Sequence, residues 1–508
     1  MSLKWTLFKG TGETPGPGEA VKPSERLTWG RTVGIGAQHV VAMFGATFVF
    51  PLIMGLDANL AVMMSGVATI IFLLIVNGKV PSYLGTSAAF VGGVAAIRAA
   101  GGDSGAVTGA IMISGVVLLL IGVITHFLGG HVIQKVLPSA VTGAVVVLIG
   151  FNLAPVVAGT YWPQDQWVGF TVMAFVIVAS LLLRGMWARV SILLGLIFGY
   201  VLSFILDKTS GQVTSVLPGQ NLLDANGKPC TADGLYCHAT AFPHFRTDFG
   251  AIGKADWIGL PNFHAPSFSG QFILLVLPAV IALIAENVGH VKAVSEMTGE
   301  DLDPYMGRAI GADGLATIIS SAVGGSPTTT YAENIGVMAA TRVYSTAAYY
   351  VAALFAILLG FCPKFGALVN GTPGAVLGGI TVVLYGMIGL LGAKIWKENR
   401  VDFANPINLV PLAAGIIIGV GNVQLNISPK FSLGGIALGT IVAVAGWHIA
   451  RWLAPQEMKD ALRAEQVAGR AAGEDPGFDG GTGPALGHTG AHAERSAQTE
   501  FADGGPTA

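Results

Sequence analysis

The chain has 508 residues, of which 52% are hydrophobic and 11% charged, with a formal net charge of -2. A soluble protein carries about 25% charged residues, so this deficit excludes a water-facing globule and points to a surface shown mostly to lipid. The near-neutral balance gives no pull toward nucleic acid. Three cysteines, Cys230, Cys237 and Cys362, are too few and too scattered for a disulfide framework or a thiolate metal site.

Residues 1–30 read as an N-terminal arm with no cleavable leader, so the first apolar helix is expected to stay as an anchor. A membrane helix needs about 20 apolar residues to cross about 30 Å of hydrocarbon. Apolar stretches of that order recur around 34–55, 58–76, 107–126, 137–158, 166–183 and 190–206. They resume around 269–285, 309–323, 345–361, 370–391, 407–423 and 433–450, and two more, near 80–97 and 326–341, are apolar but broken. The expectation is an all-α polytopic membrane protein with fourteen spans. Seven lie in 31–207 and seven in 268–453, on either side of a polar stretch at 208–267. An odd number per half inverts the second half relative to the first, a pattern of secondary transporters with a solute site near the midplane.

Lys and Arg in short connections favour the cytoplasm. Lys79, Lys135, Arg184, Arg189, Lys292, Arg308, Arg342, Lys394, Lys397 and Arg400 fall on one side, against Arg98, Lys364 and Lys430 on the other. This bias puts both termini in the cytoplasm of a multi-pass cell inner-membrane protein. The 208–267 stretch then lies outside, where Cys230 and Cys237 are either a disulfide or two free thiols. Cys362 reads as helix-end packing. From 454 to 508 the composition turns to Gly, Ala, Glu, Asp and His without apolar periodicity, which predicts a disordered tail with His488 and His492 solvated.

The broken spans are the third and the tenth. They read Val80-Pro81-Ser82-Tyr83-Leu84-Gly85-Thr86-Ser87 and Gly325-Ser326-Pro327-Thr328-Thr329-Thr330-Tyr331-Ala332. Pro and β-branched residues favour extended chain, and such backbone survives at membrane depth only when buried in protein or lining a cavity. Two short strands that pair, each followed by a half-helix aiming free N–H groups inward, suit a solute rich in carbonyl oxygens. The alternative is a pair of ordinary kinked helices.

Glu286 and Glu333 stand out within spans, where a charged side chain costs about 2.5–3.5 kcal/mol on insertion scales and usually faces a cavity or partner. Glu286 and His290 are four apart and share a helix face. A carboxylate can accept from adjacent N–H groups of a planar heterocycle. The alternatives are a headgroup-region carboxylate for Glu286 and helix capping for Glu333. Gln38 and His39 lie inside the first span, where packing competes with a role in orienting site residues.

Four strings carry a resemblance. They are Gln38-His39-Val40-Val41-Ala42-Met43-Phe44-Gly45-Ala46-Thr47, Lys79-Val80-Pro81-Ser82-Tyr83-Leu84-Gly85, Glu286-Asn287-Val288-Gly289-His290, and the run from Thr330 to Arg342. The last fits a signature of acidic or amide residue, Asn, any residue, Gly, four residues, Thr and a basic residue. From about residue 24 to 453 the chain resembles the nucleobase–ascorbate transporter family (nucleobase:cation symporter family 2), nearest its bacterial uracil and pyrimidine permeases. The resemblance implies a core domain of spans one to four and eight to eleven, and a gate domain of the rest. Glu286 and Glu333 would hydrogen-bond the base, with His290 close to Glu286. Tyr331 and the Ala332 N–H would line the site, Tyr385 would approach from the gate, and Asn334 would order the tenth span. Glu286 would be the proton-linked group, aided by His290. Ala88 stands where related uracil carriers commonly have an aromatic ring, which enlarges the pocket. Ala332 replaces a frequent Gly.

The resulting expectation is proton-coupled import of uracil or a close pyrimidine analogue, with no cofactor, no enzymatic step and no resident metal. Na+ is left open as the coupling ion, and a homodimer through the gate domains is implied. A purine symporter for xanthine or urate keeps the same fold. A passive channel fits less well, because two buried glutamates have no purpose in one.

Overall fold

The computed structural model describes residues 4–16, 19–129, 131–184, 187, 190–217, 220, 222–223, 238–428 and 431–474. The Cys230–Cys237 question and residues 475–508, with His488 and His492, lie outside the described residues. The first half holds α1 (Trp29–Met54), α2 (Ala58–Ile75), β1 (Leu84–Thr86), α3 (Val91–Ala99), α4 (Ser104–Leu128), α5 (Ser139–Asn152), α6 (Gln166–Leu182) and α7 (Ser191–Thr209). The second half holds α8 (Ala279–Thr298), α9 (Met306–Ala322), β2 (Thr328–Thr330), α10 (Ala332–Thr341), α11 (Thr346–Gly360), α12 (Pro363–Asn370), α13 (Gly374–Glu398), α14 (Pro406–Val420) and α15 (Gly435–Leu453). One more helix, α16 (Gln456–Glu474), follows.

Several helices begin where a side chain takes up an otherwise unpaired backbone N–H. Asp57 accepts from Leu60 N at 2.8 Å, Asp103 from Ala106 N at 2.7 Å, Asp165 from Trp167 N at 3.1 Å and Asn405 from Ile407 N at 3.1 Å.

Among the described residues, eight helices are long and apolar enough to cross a bilayer, and the α11–α12 pair, bent by 83°, makes a ninth. Fourteen is not reached by this measure. Gln166–Leu182, Met306–Ala322 and Pro406–Val420 are only 17, 17 and 15 residues long, and the two broken spans give their first residues to strands.

The helices pack into two groups. α1, α2, α4, α9 and α11 form one, and α5, α6, α7, α13, α14 and α15 the other. Small residues let backbones approach along the seams, as membrane helices without a hydrophobic driving force require. Gly122 meets Gly311 between α4 and α9, Gly150 meets Gly389 between α5 and α13, and Gly415 meets Gly439 between α14 and α15. Part of the 208–267 connection is tied to the second group. Arg246 Nε pairs with Asp165 at 2.7 Å and its Nη1 with Asp207 at 3.2 Å, all three largely buried.

Residues 456–474, expected to be disordered tail, instead form α16. Leu462 is only 2% exposed. Asn405 Nδ2 donates to Met458 O at 3.0 Å, and Asn408 Nδ2 to Glu465 Oε2 at 2.9 Å. Asn408 is itself held by Trp447 Nε1 at 2.9 Å. The helix is apolar on one side only, so its overall composition stays polar while its spacing is helical.

Burial pushes the Glu465 carboxyl up to about 7, against the opposing pull of its hydrogen bond from Asn408. The docked helix thus favours the protonated acid. Its contribution is full below the free carboxylate value and is lost as pH rises through about 7. Hydrogen exchange of 456–467, corrected for intrinsic rates, is expected to show more protection at about pH 6 than at about pH 8. Glu465→Gln should remove that difference. Equal protection in the unaltered protein at both pH values would contradict the expectation.

Candidate functional site

The two broken spans meet. β1 and β2 pair antiparallel, with Leu84 opposite Thr330, Gly85 opposite Thr329 and Thr86 opposite Thr328. The ladder continues by Ser87 N to Pro327 O at 2.9 Å and Tyr331 N to Tyr83 O at 3.0 Å. Backbone groups that a helix would have satisfied internally are therefore satisfied across the two halves. Each strand is also braced by a threonine of the helix before it. Thr69 Oγ1 accepts from Leu84 N at 2.9 Å, and Thr317 Oγ1 accepts from Thr328 N at 3.1 Å.

The ladder leaves no room for a side chain at Gly85. A Cβ there would collide with the Tyr331 ring, which lies directly beneath it. Tyr331 hydroxyl donates to Thr86 O at 2.9 Å and accepts from Thr47 Oγ1 at 3.1 Å. The ring that the resemblance places at the site therefore joins α1 to both strands, and its hydroxyl is already engaged.

Glu286 and His290 lie one turn apart on α8 and both reach β2. Thr329 Oγ1 donates to Glu286 Oε2 at 2.8 Å, and His290 Nδ1 lies 2.6 Å from Thr330 Oγ1. Glu333 occupies the first turn of α10, directly after β2, where a helix start favours negative charge. It lies within electrostatic reach of Glu286. All three side chains are half-buried, while Gly289 and Ala332 beside them are exposed. The carboxyls thus border space that the protein itself does not fill. Ala88, half-buried, opens the short turn Ala88–Phe90 after β1.

His39 and Asn334 are buried together behind this surface. Asn334 Nδ2 donates to His39 O at 3.0 Å and to His39 Nδ1 at 3.1 Å. The backbone carbonyl fixes the amide orientation, so Nδ1 is an acceptor and a neutral ring carries its proton on Nε2. The His39 ring also packs on Tyr349, with centroids 4.2 Å apart. The pair ties α1 to α10 and positions the helix that carries Glu333. Gln38 is half-buried just before it.

A third carboxyl was missed. Asp313 of α9 is fully buried. It accepts from Asn287 Nδ2 at 2.7 Å and from Thr328 Oγ1 at 3.1 Å. It sits inside the apolar stretch 309–323, where the criterion applied to Glu286 finds it as well. Asn287 also donates to Leu283 O at 2.9 Å. α8 thus presents Glu286 and His290 to one side and Asn287 to another, braced by Asp313. Tyr385 of α13 is buried, and its hydroxyl has no partner among the described residues, nor do His39 Nε2, Asn287 Oδ1 and Asn334 Oδ1. Buried polar atoms rarely remain so, which marks these positions as places for water or a polar ligand.

The model of the permease family matches residues 30–428. The protein named "Putative pyrimidine permease RutG" of Escherichia coli (strain K12) is 42% identical over 431 residues, covering 84% of this chain and 90% of that protein. The "Uracil permease" of Bacillus caldolyticus is 34% identical over 436 residues, covering 83% and 92%. Among solved structures, the transmembrane domain of a cyanobacterium bicarbonate transporter, BicA, aligns with a TM-score of 0.51 at 12% identity. That alignment spans 82% of this chain and 96% of that one, and it is a likeness of fold alone. With most of its length matched, and with its apolar helices gathered around a polar site, the chain belongs to the permease family and is a multi-pass membrane transporter rather than an enzyme.

Proposed function

We propose that this transporter imports uracil or a close pyrimidine analogue together with protons, by alternating access. One observation carries the reading: carboxyls borne by α8 and α10 lie within electrostatic reach of each other beside a strand ladder built from both halves of the chain. Uracil presents two ring N–H groups, one on each side of a carbonyl, and a second carbonyl beyond. The N–H groups can donate to Glu286 and Glu333, and the carbonyls can accept from the N–H groups at the α10 start, where Ala332 is exposed. The matching braces Thr69–Leu84 and Thr317–Thr328 support a seven-plus-seven inverted repeat of fourteen spans. In this reading the first helix group is the core, the second is the gate that rocks against it, and gate faces join two copies. Both termini lie in the cytoplasm, and Glu286 with His290 exchanges the coupled proton.

Ala88 favours a second reading, since a small side chain leaves room for the larger ring of xanthine or urate. Competition against labelled uracil in proteoliposomes separates the two. Unlabelled uracil is expected to displace the label at lower concentration than xanthine, urate or adenine. Stronger displacement by a purine would replace the pyrimidine assignment, and indifference to every base would reject nucleobase transport.

A further inference from the structure

Away from the carboxyl site, the end of α15 and the start of α16 enclose a cleft of about 280 Å³ lined by His448, Arg451, Trp452, Lys459 and Arg463. Its charge is one-sided. Arg451 has no acidic partner among the described residues and stands 5.6 Å from the Trp447 ring centroid. Lys459 Nζ donates to Trp452 O at 3.0 Å, leaving two of its three donors. Arg463 pairs with Asp460 at 3.1 Å, but both side chains are more than half exposed, and such surface pairs hold weakly. His448 Nε2 lies 2.9 Å from Val136 O, which fastens α15 to the chain before α5.

Exposed apolar groups stand in and beside this cleft, which a soluble anion does not need. Trp452 of the lining is 77% exposed, Leu453, which follows it in sequence, 68%, and Val136, whose carbonyl meets His448, 55%. An exposed Trp beside basic residues at the end of an apolar helix is the combination that concentrates at membrane–water interfaces. We propose that the cleft is a binding site for the phosphate headgroup of an anionic phospholipid. Arg451, Lys459 and Arg463 hold the phosphate, and Trp452 and Leu453 lie along the first carbons of the acyl chains. Because α16 supplies two of the three cations, an occupied site also fastens that helix to the membrane edge.

The test uses the full-length protein in detergent, with native mass spectrometry counting bound phosphatidylglycerol or phosphatidylcholine of identical chains. Phosphatidylglycerol is expected to be retained preferentially. Each basic residue near an anionic lipid is worth about fivefold in binding. The variant R451Q/K459Q/R463Q should therefore lose roughly 100-fold, while K292Q/K397Q/R400Q, which removes three charges elsewhere, should not. Excess inorganic phosphate should leave the lipid bound. Equal retention of the two lipids, unchanged binding by the first variant, or displacement by inorganic phosphate would each overturn the proposal. If the triple variant does not fold, Arg451→Gln alone carries the test, with about a fivefold loss expected.

Discussion

Replacing Glu286 with glutamine is expected to abolish uracil accumulation against a gradient, leaving only equilibration across the membrane. The substitution is nearly isosteric, and the amide oxygen can still accept from Thr329 Oγ1, which now donates to Oε2 at 2.8 Å. The local geometry should therefore persist while the ability to release a proton is lost. Proteoliposomes with an inward proton gradient measure accumulation, and counterflow without a gradient measures binding and exchange. Loss of the first with retention of the second is the expected pair. Continued concentration of uracil by the variant would remove Glu286 from the coupling role. Glu333→Gln provides the comparison, since that carboxyl has no side-chain partner among the described residues and a loss there would fall on binding.

Gly85→Ala is expected to remove binding and to lower the unfolding midpoint. The new methyl would meet the Tyr331 ring, which cannot retreat because its hydroxyl is bonded to Thr86 O and Thr47. Overpacking of this kind typically costs about 1–3 kcal/mol. Here it acts on a ladder of three residue pairs, so the strands must shift register or separate. Gly253→Ala is the control, because nothing lies within 4 Å of its added Cβ. Equal unfolding midpoints for the two variants, with binding intact in both, would show that the ladder yields more easily than its packing implies.

Much of the fold was legible because lipid imposes simple demands. Long apolar runs become helices, and Pro81, Pro327 and the threonines after Pro327 mark where a helix cannot continue. Glu286, His290 and Glu333 were legible because each is conspicuous in apolar surroundings, and the structure brings them together around β2. Asp313 was equally conspicuous but was absorbed into an apolar stretch. The direction of the Tyr331 ring was not legible, since it depends on Gly85 being 246 residues earlier in the chain and directly above it. α16 was legible in the one-sided spacing of Met458, Ala461 and Leu462 and was hidden by the polar composition around it. Fewer helices than fourteen reach spanning length because the two broken spans spend residues on strands and other apolar helices, Gln166–Leu182 and Pro406–Val420 among them, are short.

The strand ladder also sets a schedule for synthesis. Thr86 and Ser326 are bonded through their hydroxyls at 2.8 Å yet lie 240 positions apart. At about 5–20 residues per second, translation takes roughly 12 to 48 seconds to deliver the second strand after the first. Throughout that interval β1 has no mate to pair with, so its backbone groups need water, lipid headgroups or an insertion chaperone as partners until the second half arrives.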